Sequence, residues 1–94
     1  MGVTHYAIIL HPAVVTEDLP RLDASWRKTI RDTVREKLAT TPELYGRPLR
    51  KNLKGCWKLR VGDYRVVFRI QGKKVIVLAI LHHSVVYEQA EKRF

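Results

Sequence analysis

The spacing of apolar residues along this chain changes from strand-like to helical and back, and the changes mark out its elements. Thr4 to Leu10 (THYAIIL) is rich in β-formers and stops at His11-Pro12, where proline cannot donate to a ladder and biases the residue before it away from helix. A first strand is predicted there. From about Val14 to Leu22 a short helical turn or two is predicted, with Thr16, Glu17 and Asp18 as start signals and Pro20 as an interruption. The next segment is clearer: Asp23 can cap a helix in which Trp26, Ile30, Val34 and Leu38 recur every four residues, an apolar stripe on a charged cylinder. It should end near Thr40, ahead of Thr41-Pro42.

Glu43 to Gly55 reads at first as loop, with Gly46 and Pro48 as breakers, and then period two takes over. Trp57, Leu59 and Val61 alternate with Lys58 and Arg60; after the Gly62-Asp63 turn, Tyr64, Val66, Phe68 and Ile70 alternate with Arg65, Val67 and Arg69. Gln71-Gly72-Lys73 makes a second turn into Val75 to Leu81, apolar on both faces as a strand covered on both sides would be. A short tail helix is predicted from about Val85 to Arg93. Three strands joined by tight turns form an antiparallel meander, and the Trp26 helix can cover one face of it, which makes the fold α+β. The first strand must find an edge of the same sheet.

Composition narrows the class. At 94 residues with 46% apolar content, the chain is expected to be one domain over 1–94 with a real core and modest stability. A lone cysteine, Cys56, cannot form an internal disulfide, and no Cys and His cluster has metal-ligand spacing. No metal or other cofactor is therefore expected. The sequence does not open on a basic region followed by a long apolar stretch, and its longest apolar run, Val75 to Leu81, is too short to cross a bilayer. A cytoplasmic protein without a membrane partner is the expectation.

Charge changes the picture more than composition does. The whole formal net charge of +9 lies between Arg47 and Lys74, where ten Lys or Arg residues face one acid, Asp63; outside that window eight basic residues balance eight acids. A segregated field of this kind argues for a surface that meets a polyanion. The pleat concentrates it further, because Lys58 and Arg60 share a face and the tight turn lets Arg65 join them from the next strand. Three cations side by side favour an anion among them, and Arg can grip phosphate oxygens in a fork. Alternation by itself fits a solvated basic face best, nucleic-acid binding next and catalysis least. His82, His83 and Tyr87 follow the last strand and come near the same end of the sheet if that strand lies beside Tyr64 to Ile70. Tyr87 can donate a hydrogen bond to phosphate or stack on a base, or simply pack; a histidine here can exchange a proton. Adjacent histidines in extended backbone point to opposite sides, which argues against a metal site made of both.

The stretch LKGCWKLRVGDYRVVFRI from Leu53 to Ile70, with VIVLAILHHSVVYEQAEKRF from Val75 to Phe94, resembles the RelE/ParE superfamily of bacterial type II toxin-antitoxin toxins. DLPRLDASWRKTIRDTVREKL fits the superfamily's helical hairpin, so the resemblance covers nearly the whole chain. It implies an N-terminal strand, a helical hairpin, a sheet of about four antiparallel strands and a cognate antitoxin. In the RelE-like branch it implies ribosome-dependent cleavage of mRNA. Carried over residue by residue, Lys58 and Arg65 match two catalytic positions, Arg60 a nearby basic position and Tyr87 the terminal tyrosine. Two departures stand out: Cys56 where some members have lysine, and His83 where relatives commonly carry the arginine of a His-Arg pair. On this reading Arg65 and Arg60 stabilise the phosphate, Lys58 accepts the 2′-hydroxyl proton, His83 is the leaving-group acid or an alternative base, and Tyr87 orients the nucleotide. Arg47, Arg50, Lys51, Lys54 and Arg69 would form the RNA-binding field around them. The ParE-like branch, which poisons DNA gyrase without a nuclease site, is the alternative, and a toxin fold acting only through antitoxin binding is a second.

Overall fold

A computed structural model describes residues 5–49 and 55–93. Five strands form one mixed sheet in the order β1-β5-β4-β3-β2: β1 (Ala7–Leu10), β2 (Arg47–Pro48), β3 (Trp57–Val61), β4 (Tyr64–Gln71) and β5 (Lys74–His82). The helices are α1 (Leu19–Arg21), continuing a π-helical segment Val14–Asp18, then α2 (Ala24–Leu38), α3 (Pro42–Tyr45) and α4 (Val86–Arg93). The α+β class and the β3-β4-β5 meander agree with the sequence pattern. The sheet differs from about four antiparallel strands in two ways. β1 joins β5 in parallel, Ala7 opposite Lys74 through Leu10 opposite Val77, and part of the predicted 43–55 loop pairs as β2 with Lys58 and Trp57.

Local chemistry explains most boundaries. The Asp23 carboxylate accepts from the Trp26 N–H at 2.8 Å, the predicted cap, and Ile30, Val34 and Leu38 are buried while the other faces of α2 carry charge. The first helical segment begins earlier than its acids suggested. His11 Nδ1 accepts from the Ala13 N–H at 3.0 Å, so an imidazole caps it and Asp18 is free for another task.

The sheet is covered on both faces. On one side α2 and the segment before it pack Val14, Leu22, Ile30, Val34 and Leu38 against Leu59, Val66, Phe68, Val75, Val77 and Ile80. On the other, Val86 and Ala90 of α4 meet Leu49, Cys56, Val67, Leu78, Ala79 and Leu81. The apolar run of β5 serves both layers, and a bulge makes this possible: Val67 pairs with Ala79 but Phe68 with Val77, so Leu78 is the extra residue and the inward period slips by one.

Gly62 is the tightest position in the meander. Its φ is +57°, and a Cβ there would sit 2.5 Å from the Trp26 ring, whereas Gly72 at φ +59° faces open space. Gly62→Ala is expected to lower stability by about 1–3 kcal/mol in urea unfolding, and Gly72→Ala only by the cost of its left-handed backbone, about 1–2 kcal/mol. Equal midpoints for the two variants would refute the packing part of this reading.

Candidate functional site

Directly opposed residues of an antiparallel pair project to the same face. Arg47 lies opposite Lys58, and Arg60 opposite Arg65, so these four cations share the face that α4 partly covers. Lys58 and Arg60, two apart on β3, bring the two rows together. α4 then supplies the aromatic: Lys58 Nζ lies 5.4 Å from the centroid of the Tyr87 ring, within cation-π range. Tyr87 is 38% exposed although its helix packs against the sheet through Val86 and Ala90. A half-open aromatic beside three or four cations is a surface on which a nucleotide can stack while its phosphate is neutralised. None of Arg47, Lys58, Arg60 and Arg65 has an acidic partner within salt-bridge distance among the described residues.

Arg65 is not a free head. Its Nη1 donates to the Gly62 carbonyl at 2.9 Å and the Tyr64 carbonyl at 2.8 Å, so the guanidinium is held over the β3-β4 turn. Nε and Nη2 make no such bond among the described residues, leaving a fixed edge of donors directed away from the turn carbonyls. Arg69, expected in the binding field, is exposed, and its Nε donates to the buried Cys56 sulfur at 3.5 Å. Cys56 is thus part of the second core layer. Arg50, Lys51 and Lys54 lie outside the described residues.

The histidines depart from the sequence expectation. Strand geometry ends at His82, and His83 enters the turn, so the two rings lie together with centroids 4.4 Å apart rather than on opposite sides. His82 is occupied locally: its Nδ1 is 2.8 Å from Ser84 Oγ and accepts from the Ser84 N–H at 3.3 Å, while its ring meets Tyr64 edge-on. His83 is exposed, and its backbone N–H donates to the Asp63 carbonyl at 2.9 Å. That bond places it beside Asp63 at the β3-β4 turn end, one strand repeat beyond the Arg60-Arg65 pair and two repeats from Lys58. Among the described residues, no group of three or more His, Cys, Asp or Glu side chains is placed to hold a metal ion.

One constellation escaped the sequence reading. Asp18, only 2% exposed, receives both nitrogens of the Arg93 fork, Nη1 at 2.8 Å and Nη2 at 3.0 Å, and the Ile80 N–H at 2.9 Å. Arg93 Nη1 also donates to the Leu78 carbonyl at 3.2 Å. β1 stops pairing β5 at Val77, so these side chains satisfy backbone groups where the parallel strand runs out. The Asp18 hydrogen bonds push the Arg93 guanidinium above its ordinary value, so it stays charged wherever the protein folds. A signal did exist: Val14, Asp18 and Leu22 are spaced by four and all buried, an acid in the middle of an apolar stripe.

Residues 8–87 match the model of a family described as the ParE toxin of type II toxin-antitoxin system, parDE. The chain belongs to this ParE toxin family. The superfamily resemblance drawn from the β3-β4 sequence is thereby confirmed, and the chain is the toxin component of a type II system. No curated protein matches it by sequence. Among solved structures, the toxin-antitoxin complex RelBE2 from Mycobacterium tuberculosis is similar with a TM-score of 0.80 and 25% identity over 88% of this chain and 97% of that one. An arginine double mutant of toxin RelE from Escherichia coli, in complex with an antitoxin RelBc peptide, gives 0.65 and 26% over 96% and 98%. The RelB-RelE complex from Methanococcus jannaschii, at 20% identity, TM-score 0.62 and coverage of 85% and 95%, shares the fold. No helix among the toxin's described residues is long and apolar enough to cross a membrane.

Proposed function

We propose that this toxin is an endoribonuclease that cleaves mRNA on the ribosome, and that an acidic cognate antitoxin neutralises it. The observation that carries the reading is the Lys58-Tyr87 pair where α4 leaves the sheet face half-covered, flanked by Arg47 and Arg60, which have no acidic partner among the described residues. The chemistry needs four things: a proton taken from the RNA 2′-hydroxyl, an in-line phosphate, stabilisation of added negative charge, and a proton for the departing 5′-oxygen. Lys58 takes the 2′-hydroxyl proton as that oxygen attacks phosphorus and the bond to the 5′-oxygen breaks. Arg60 and the turn-fixed edge of Arg65 face the phosphoryl oxygens; Arg47, beside Lys58, contributes field. Tyr87 holds the base or sugar against the strand. His83, at the turn end, returns a proton to the leaving oxygen. The products are a 2′,3′-cyclic phosphate and a free 5′-hydroxyl. None of these steps requires a metal.

Antitoxin recognition follows from charge: a basic window carrying +9 attracts an acidic segment that folds on docking. A second reading, inhibition of DNA gyrase, is favoured by the family description, which names ParE toxins. Two assays on the same preparation separate them. Purified toxin added to programmed ribosomes is expected to produce new mRNA 5′ ends bearing hydroxyl groups, with gyrase supercoiling unaffected. Blocked supercoiling with intact ribosome-bound mRNA would reverse the assignment.

A further inference from the structure

We infer that Arg93, remote from the reacting atoms, is a positioning residue: its clasp with Asp18 fixes α4 on the sheet and thereby holds Tyr87 over Lys58. This rests on the nuclease reading only for its catalytic consequence; the geometry stands by itself.

α4 has eight residues, too short to be stable as an isolated helix in water. Its apolar anchors are small, Val86 near one end and Ala90 in the middle. The Glu88-Lys92 pair on its surface, at 3.5 Å and well exposed, adds little. The far end is held differently. Arg93 makes three hydrogen bonds, two to a buried carboxylate and one to a β5 carbonyl, and its side chain is 12% exposed. Tyr87 lies six residues earlier, about 9 Å along the axis, on the same rigid rod. With one end pinned by Arg93 and the middle by Ala90, rotation of the helix is fixed, and so is the side from which Tyr87 reaches Lys58. The carboxylate comes from the segment between β1 and α2, so the clasp ties the outer helix to the opposite layer across the end of β1. That segment also accepts from Ile80 N–H, which locks Asp18 to the bulged part of β5.

The test uses fluorotyrosine-labelled full-length protein, with the Tyr87 resonance assigned by Tyr87→Phe. Lys58→Met defines the shift of that resonance when the cation over the ring is absent. Arg93→Ala is expected to move it to a similar position and to speed amide exchange over 86–92 at least tenfold more than it speeds exchange in β4 and β5, where only the global loss of stability is felt. Arg93→Lys, which keeps a cation beside Asp18 but loses the fork, should fall between and serves if the alanine variant does not fold. In single-turnover cleavage, Arg93→Ala and Tyr87→Ala should each slow the reaction, and the double variant should be no slower than Tyr87→Ala, as for residues acting through one another. An unmoved Tyr87 resonance with retained α4 protection in both Arg93 variants, or multiplying rate losses, overturns the inference. If the wild-type protein cleaves no mRNA the nuclease reading fails, while the resonance and exchange still decide whether Arg93 positions Tyr87.

Discussion

Lys58→Ala should lower the single-turnover rate of mRNA cleavage by about 10²–10⁴-fold, the usual contribution of a positioned proton acceptor. The variant should still fold, because Lys58 lies on a half-covered strand face and its partner there is the partly exposed Tyr87 ring. Alanine also removes a charge, so the informative companion is Lys58→Arg. Arginine keeps the cation beside Arg47 and Arg60 and can stay over the Tyr87 ring, but it does not give up its proton. Ribosome association is therefore expected to survive in Lys58→Arg while the rate falls nearly as far as in the alanine variant. A Lys58→Arg protein cleaving at the wild-type rate would show that Lys58 acts only as a charge, and the proton acceptor would have to be sought at His83.

Asp18→Ala is expected to be the most destabilising single change outside the apolar core. It leaves the Arg93 guanidinium in a largely buried site without its counter-ion and the Ile80 N–H without an acceptor. Breaking a buried pair from one side costs about 3–5 kcal/mol, and Arg93's slight exposure places the value toward the lower end. Against a total of about 5–10 kcal/mol for a domain of this size, that is a large fraction, equivalent to about 12–30 °C in midpoint. Removing both charges, as Asp18→Leu with Arg93→Met, should recover much of the loss, since an apolar pair has no desolvation to offset. Thermal and urea unfolding of the three proteins measure this. A loss under about 1 kcal/mol in Asp18→Ala would mean that solvent reaches the pair.

Several of these features were legible before the structure. The stripe of Ile30, Val34 and Leu38, the Asp23 cap and the alternation of β3 and β4 are local properties, and each appears where period and capping put it. The same pleat placed Lys58, Arg60 and Arg65 on one face, because register across a two-residue turn leaves little choice. What the sequence did not show was of a different kind. Strand position places Arg65 and Arg69 on their face but not their head groups, because a long side chain chooses its partner after the backbone is set; Arg65 Nη1 binds turn carbonyls and Arg69 Nε the Cys56 sulfur. The two histidines were assigned to opposite sides by extending the strand one residue too far.

The sequence by itself determined the types of the longer elements, the order of the meander, the confinement of the charge to one part of the chain and the membership of the superfamily. These follow from short-range periods and from counts. Only the tertiary structure decided the parallel docking of β1, the bulge at Leu78, the pairing of Arg47 beside Lys58, the approach of Tyr87 and the Asp18-Arg93 clasp. Each of these joins residues far apart in the chain, and which long-range partners meet depends on how the layers close over both faces of the sheet rather than on any local preference.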